Sequence, residues 1–69
     1  MKERITDYKG RLACLYDSET GHIESSYKGY RTSTNLEIGA EFSIQRDDAV
    51  TIVTRISKST FNTIKIKIS

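Results

Sequence analysis

The chain has 69 residues, of which 36% are hydrophobic and 29% charged, and its net charge is +2 with a single cysteine and no proline. One cysteine excludes an internal disulfide, and no apolar run is long enough to span a membrane as a helix. With no signal-peptide pattern either, one small cytoplasmic domain over residues 1–69 is the expectation.

Isoleucine, valine, threonine, serine and tyrosine dominate, which is the composition of β-structure. Residues 1–8 are compatible with a strand or with one helical turn. Lys9-Gly10 marks a turn, and a strand is predicted near 11–16, with Leu12, Cys14 and Tyr16 on one face and Ala13 and Leu15 on the other. "DSETG" reads as a type I turn closed by Gly21 in a left-handed conformation. "HIESSY" is the returning strand, bent at Lys28-Gly29 and continued by "YRTST". Tyr27 and Tyr30 are three positions apart, so a regular strand puts them on opposite faces, one in the core and one at the surface. A bulge or turn at Lys28-Gly29 would reset that alternation.

The second half alternates more cleanly. Leu36, Ile38, Ala40, Phe42 and Ile44 share one face of a predicted strand, with Gly39 as a bend or bulge. A polar turn follows at Arg46-Asp47-Asp48. Six of the eight residues 49–56 are β-branched, which favours a strand over the helical spacing of Ala49, Ile52, Val53 and Ile56. Val50, Ile52 and Ile56 then form its inner face. After a turn at "SKST", the last strand places Ile64, Ile66 and Ile68 inward and Thr63, Lys65 and Lys67 outward. Residues 36–68 thus predict a three-stranded antiparallel meander.

Two stretches resemble known families. "DYKGRLACLYD" resembles one unit of the tyrosine-aspartate repeats of bacterial surface and toxin shells, sharing their glycine turn before Arg-Leu. Lys28-Gly29-Tyr30 followed by Leu36-Glu37-Ile38-Gly39-Ala40-Glu41-Phe42 resembles the order of elements in cold-shock-type OB domains. That family's alternating aromatics after Lys-Gly are replaced here by Arg31-Thr32-Ser33-Thr34, and there is no tryptophan. The resemblance implies a small β-barrel. The fold expected is all-β: an antiparallel meander of about five or six short strands forming an SH3- or OB-like barrel. A flatter sheet completed by oligomerisation is the alternative.

Chemistry is sparse. Cys14 and His22 are too few soft ligands for a closed zinc site, so a buried thiol and a solvated strand-start histidine are expected, with no metal or cofactor. Glu37 and Glu41 on one strand face would lie roughly 13 Å apart, too far for paired glycosidic carboxylates. No catalytic constellation is visible and no enzyme is expected.

The charge is uneven. Residues 1–48 hold seven basic and nine acidic side chains, whereas 49–69 hold Arg55, Lys58, Lys65 and Lys67 and no acid. If Val53, Arg55, Phe61, Thr63, Lys65 and Lys67 share an outer face, the last hairpin carries a cationic stripe with one stacking ring. Single-strand nucleic-acid binders combine these two features. In this reading Arg55, Lys65 and Lys67 contact phosphates, Phe61 and Tyr30 stack on bases, and Lys28 and Arg31 assist. The alternative is a protein–protein module, a homo-oligomeric scaffold, inhibitor or adaptor, acting through a sheet edge that no proline blocks.

Overall fold

The computed structural model describes residues 2–27 and 29–68. Among them, seven strands follow one another: β1 (Lys2–Thr6), β2 (Leu12–Asp17), β3 (His22–Tyr27), β4 (Tyr30–Asn35), β5 (Glu41–Arg46), β6 (Ala49–Arg55) and β7 (Phe61–Lys67). No described helix is long and apolar enough to cross a membrane. The fold is all-β, with more strands than the five or six expected. They form two antiparallel meanders, β1-β2-β3-β4 and β5-β6-β7, and no closed barrel joins them among the described residues.

Local chemistry explains the turns. Asp7 accepts from the Lys9 and Arg11 amides at 2.9 and 3.0 Å, which fixes the β1–β2 turn. The Gly21 amide donates to the Asp17 carbonyl at 2.8 Å with φ at 78°, as "DSETG" predicts. Tyr27 pairs directly with Tyr30 across the β3–β4 turn, and Gly29 has φ 84°. The two tyrosines are therefore cross-strand neighbours on one face, not residues on opposite faces of a bent strand. Lys28 lies outside the described residues.

The expected strand across 36–44 divides. Leu36 to Ala40 cross between the sheets, with a turn in which the Ala40 amide donates to the Glu37 carbonyl at 2.9 Å and Gly39 takes φ 91°. Leu36 is buried, but Ile38 is 60% exposed. Glu37 and Glu41 consequently do not share one strand.

The sheets pack face to face. Ile5, Cys14, Tyr16 and Ile23 from the first meet Val53 from the second, with Leu36 from the crossover; Ala40, Phe42, Ile44 and Phe61 close around them. A bulge opposite the Ile5–Thr6 step leaves Ala13 unpaired, so Leu12 turns outward while Ala13 and Cys14 are both buried. Burial pushes the Cys14 thiol up to about 11.

The inner face of the second sheet is the reverse of the one expected for β6 and β7. Phe42 pairs with Val53 and Ile44 with Thr51, and Val53 pairs with Thr63. Ala49, Thr51 and Val53 are buried, whereas Ile64, Ile66 and Ile68 are 45%, 41% and 45% exposed. The cause is the two-residue loop Asp47-Asp48, which pairs even positions of β5 with odd positions of β6. Once Phe42 and Ile44 face the core, Val50 and Ile52 must face away from it.

Candidate functional site

The two sheets are held together at both ends. At one end the Arg55 guanidinium donates to the carbonyls of Leu36 (2.9 Å), Thr20 (3.4 Å) and Lys58 (3.0 Å), and the Leu36 amide donates to the Gly21 carbonyl at 2.8 Å. At the other end Arg11 pairs with buried Asp7 at 2.9 Å and with Asp47 at 3.3 Å. Tyr8 and Tyr27 donate their hydroxyls to Asp48 (2.6 Å) and Asp47 (3.0 Å). Arg46 lies over the Tyr27 ring, 4.9 Å from its centroid. These ties align the strands: β3 and β5 both start at the Arg55 end and finish at the Asp47 end.

Burial raises the Asp7 carboxyl, but the Arg11 and Lys9 amides and the Arg11 guanidinium outweigh it and hold the pKa below its ordinary value. The hydrogen bond to Asp48 pushes the Tyr8 hydroxyl up to about 12, and the same bond holds Asp48 low.

Between the ends, the sandwich has an open seam on each side. One trough of about 240 Å³ is lined by Phe42, Ser43, Ile44 and Gln45 together with Ser25, Tyr27, Tyr30 and Thr32. The four consecutive residues belong to β5, the edge strand of its sheet, so the trough runs along the β5 backbone edge. The alternating residues are the inner faces of β3 and β4. All six residues of β4 are exposed, so this strand overhangs β5.

The opposite seam has the same construction with the sheets exchanged. Its trough of about 220 Å³ is lined by consecutive Glu3, Arg4, Ile5 and Thr6 of the edge strand β1, and by alternating Phe61, Thr63 and Lys65 of β7. Here β7 overhangs β1. The sheets are thus displaced sideways, leaving a notch and an overhang on each flank.

The residues proposed from sequence as one nucleic-acid surface fall on different parts of this frame. Tyr30, 81% exposed, and Arg31 lie at the β4/β5 seam, with Arg31 on the outer face of β4. Phe61 and Lys65 line the β1/β7 seam, and Lys67 lies beyond them. Phe61 is not an exposed platform on an outer face: its ring packs on buried Tyr16 at 4.7 Å between centroids, because β7's odd positions face inward. Lys65 donates to the Thr6 hydroxyl at 3.1 Å and Lys67 is exposed at the end of β7. Arg55 spends both terminal nitrogens on backbone carbonyls. His22 starts β3, its Nδ1 2.6 Å from the Asn35 side-chain oxygen. Sequence reading missed the seams, because a sideways offset between sheets has no periodicity to reveal it.

No protein-family model, curated protein or solved structure matches the chain.

Proposed function

We propose that this chain is a non-enzymatic protein–protein interaction domain that acts by strand addition at a sheet edge. The observation that supports it is the β4/β5 trough. It presents the β5 backbone edge beneath an overhanging strand, and an extended segment laid there gains main-chain hydrogen bonds on one side and the exposed Tyr30 ring on another. The outer aliphatic face formed by exposed Ile64 and Ile66 with half-buried Val50 and Ile52 is a second surface of the kind that proteins use to meet one another. A closed SH3- or OB-like barrel would require a strand to bridge the seams.

A synthetic peptide spanning Gly29–Leu36 tests the reading. Added at millimolar concentration, it is expected to shift the amide resonances of residues 42–45 and slow their hydrogen exchange. A copy N-methylated at alternate residues should do neither. Amides at 42–45 that stay unchanged in a monomeric sample would reject the reading.

The β1/β7 seam favours a second reading, single-stranded nucleic acid, since Arg4 and Lys65 line a trough that has Phe61 at its side. A labelled oligonucleotide should then bind in low salt, weaken steeply as salt rises, and be lost with K65E and K67E together. No binding at low salt would end that reading.

A further inference from the structure

We infer that the strand accepted by the β4/β5 notch is β4 of a second copy of this chain, in a closed two-fold dimer. The inference rests on the strand-addition reading and names its partner.

The geometry is self-complementary. On this flank the first sheet projects by β4 and the second is recessed to β5. Rotating a copy by half a turn about an axis parallel to the strands places its β4 in the first copy's recess, and the first copy's β4 in its own. Each overhang fills the other notch. Strand direction agrees as well: β3 runs parallel to β5 and β4 antiparallel to β3, so β4 runs opposite to β5. The rotation preserves direction, so each new pair is antiparallel. β4 and β5 are both six residues long. The product is two continuous antiparallel sheets, each β1-β2-β3-β4 of one copy extended by β5-β6-β7 of the other. Two-fold closure satisfies both notches at once and leaves no growing end on this flank.

Charge selects this flank over the other. No charged side chain lines the β4/β5 trough, the charges of β5 being confined to its two ends, Glu41 and Arg46, and the inward residues of β4, Tyr30, Thr32 and Thr34, are neutral. Arg31 faces out. The β1/β7 trough is lined by Glu3, Arg4 and Lys65, and charges on an edge oppose pairing.

Sedimentation velocity of the full chain across the micromolar to millimolar range tests the inference, with amide exchange on the same samples. The expected species has twice the 7.9 kDa mass of one chain, with slowed exchange in both β4 and β5. T32K, on the inward face of an exposed edge strand, should weaken the dimer about tenfold or more, whereas S33K on the outward face should leave it unchanged. T34K repeats the inward test should T32K fail to fold. A single-chain mass throughout the range would overturn the inference. So would a dimer that survives T32K and T34K but is lost in I64K, since the outer aliphatic face would then be the interface. Protection of residues 42–45 by the Gly29–Leu36 peptide in a strictly monomeric protein would defeat the dimer alone. Failure of both would defeat the strand-addition reading too.

Discussion

The two seams share one architecture and differ in chemistry. Each pairs the free edge of one sheet with the inner face of the other's overhanging strand. The β1/β7 seam is guarded by Glu3, Arg4 and Lys65, and Phe61 closes it from within by packing on Tyr16. The β4/β5 seam is lined by hydroxyls, an amide, aromatics and Ile44, with no charge. An edge strand is a liability unless charge, proline or a cover discourages pairing. One seam has such a guard and the other lacks it, and the unguarded flank is therefore the one we propose for recognition.

The comparison can be broken most forcefully at the core side of the guarded seam. F61A removes a ring packed at a tilt against buried Tyr16 and is expected to cost about 3 kcal/mol in urea unfolding. F42A, which lines the open trough, should cost less, about 2 kcal/mol. Equal or reversed costs would show that the two seams are not closed differently.

The frame that sets the sideways offset is the next target. A methyl at Gly21 would lie 2.5 Å from the Leu36 carbonyl oxygen and 2.6 Å from Arg55, in a backbone with φ 78°. G21A should therefore cost about 2–3 kcal/mol. G39A meets open space at φ 91° and should cost only the backbone term, about 1 kcal/mol. Matching losses would remove the Gly21–Leu36–Arg55 contact as a clamp between sheets.

The opposite clamp should respond to pH. Asp7 and Asp48 have folded pKa values below their ordinary 3.8. Their stabilisation is complete above that value and is lost as pH falls through the lower folded values. Tyr8 is shifted the other way, so its contribution is complete below pH 10 and fades as pH rises toward 12. D7N should flatten the acid limb of a stability–pH curve and Y8F the alkaline limb. Unaltered limbs would exclude these groups from the clamp.

The smallest stability effect is expected from the guard itself. K65I with K67I should change folding stability by no more than about 0.5 kcal/mol, since both side chains are exposed. Concentration-dependent association should nevertheless increase, because β7 has lost both its charges. Unchanged association would mean that the lysines do not distinguish the seams.

Much of the fold was legible in the residues. Alternation located β2, β3, β6 and β7, the glycine turn after Asp17 was placed correctly, and the meander of the second half matches β5-β6-β7. The strand predicted through Leu36–Ala40 failed because alternation continues through a crossover that buries Leu36 by tertiary contact alone. Tyr27 and Tyr30 pair directly across β3 and β4, with Gly29 at positive φ beside them, an outcome that strand periodicity does not decide. The candidate site was the least legible part. Its residues were correctly grouped along β7, since Phe61, Thr63 and Lys65 do share a face, but that face is the inner one.

By itself, then, the sequence determined which residues travel together. A period of two assigns Val53 with Thr51, and Ile64 with Ile66, whatever the surroundings. Only the tertiary structure decided which group is inside. Both faces of β6 carry β-branched residues of similar size, so composition is nearly indifferent between them. The two-residue loop at Asp47-Asp48 transmits the choice made by Phe42 and Ile44 across the sheet. The sideways offset that creates the notches lies one level further out. It follows from how side chains of two sheets interlock and where Arg55, Arg11 and the aspartates tie them.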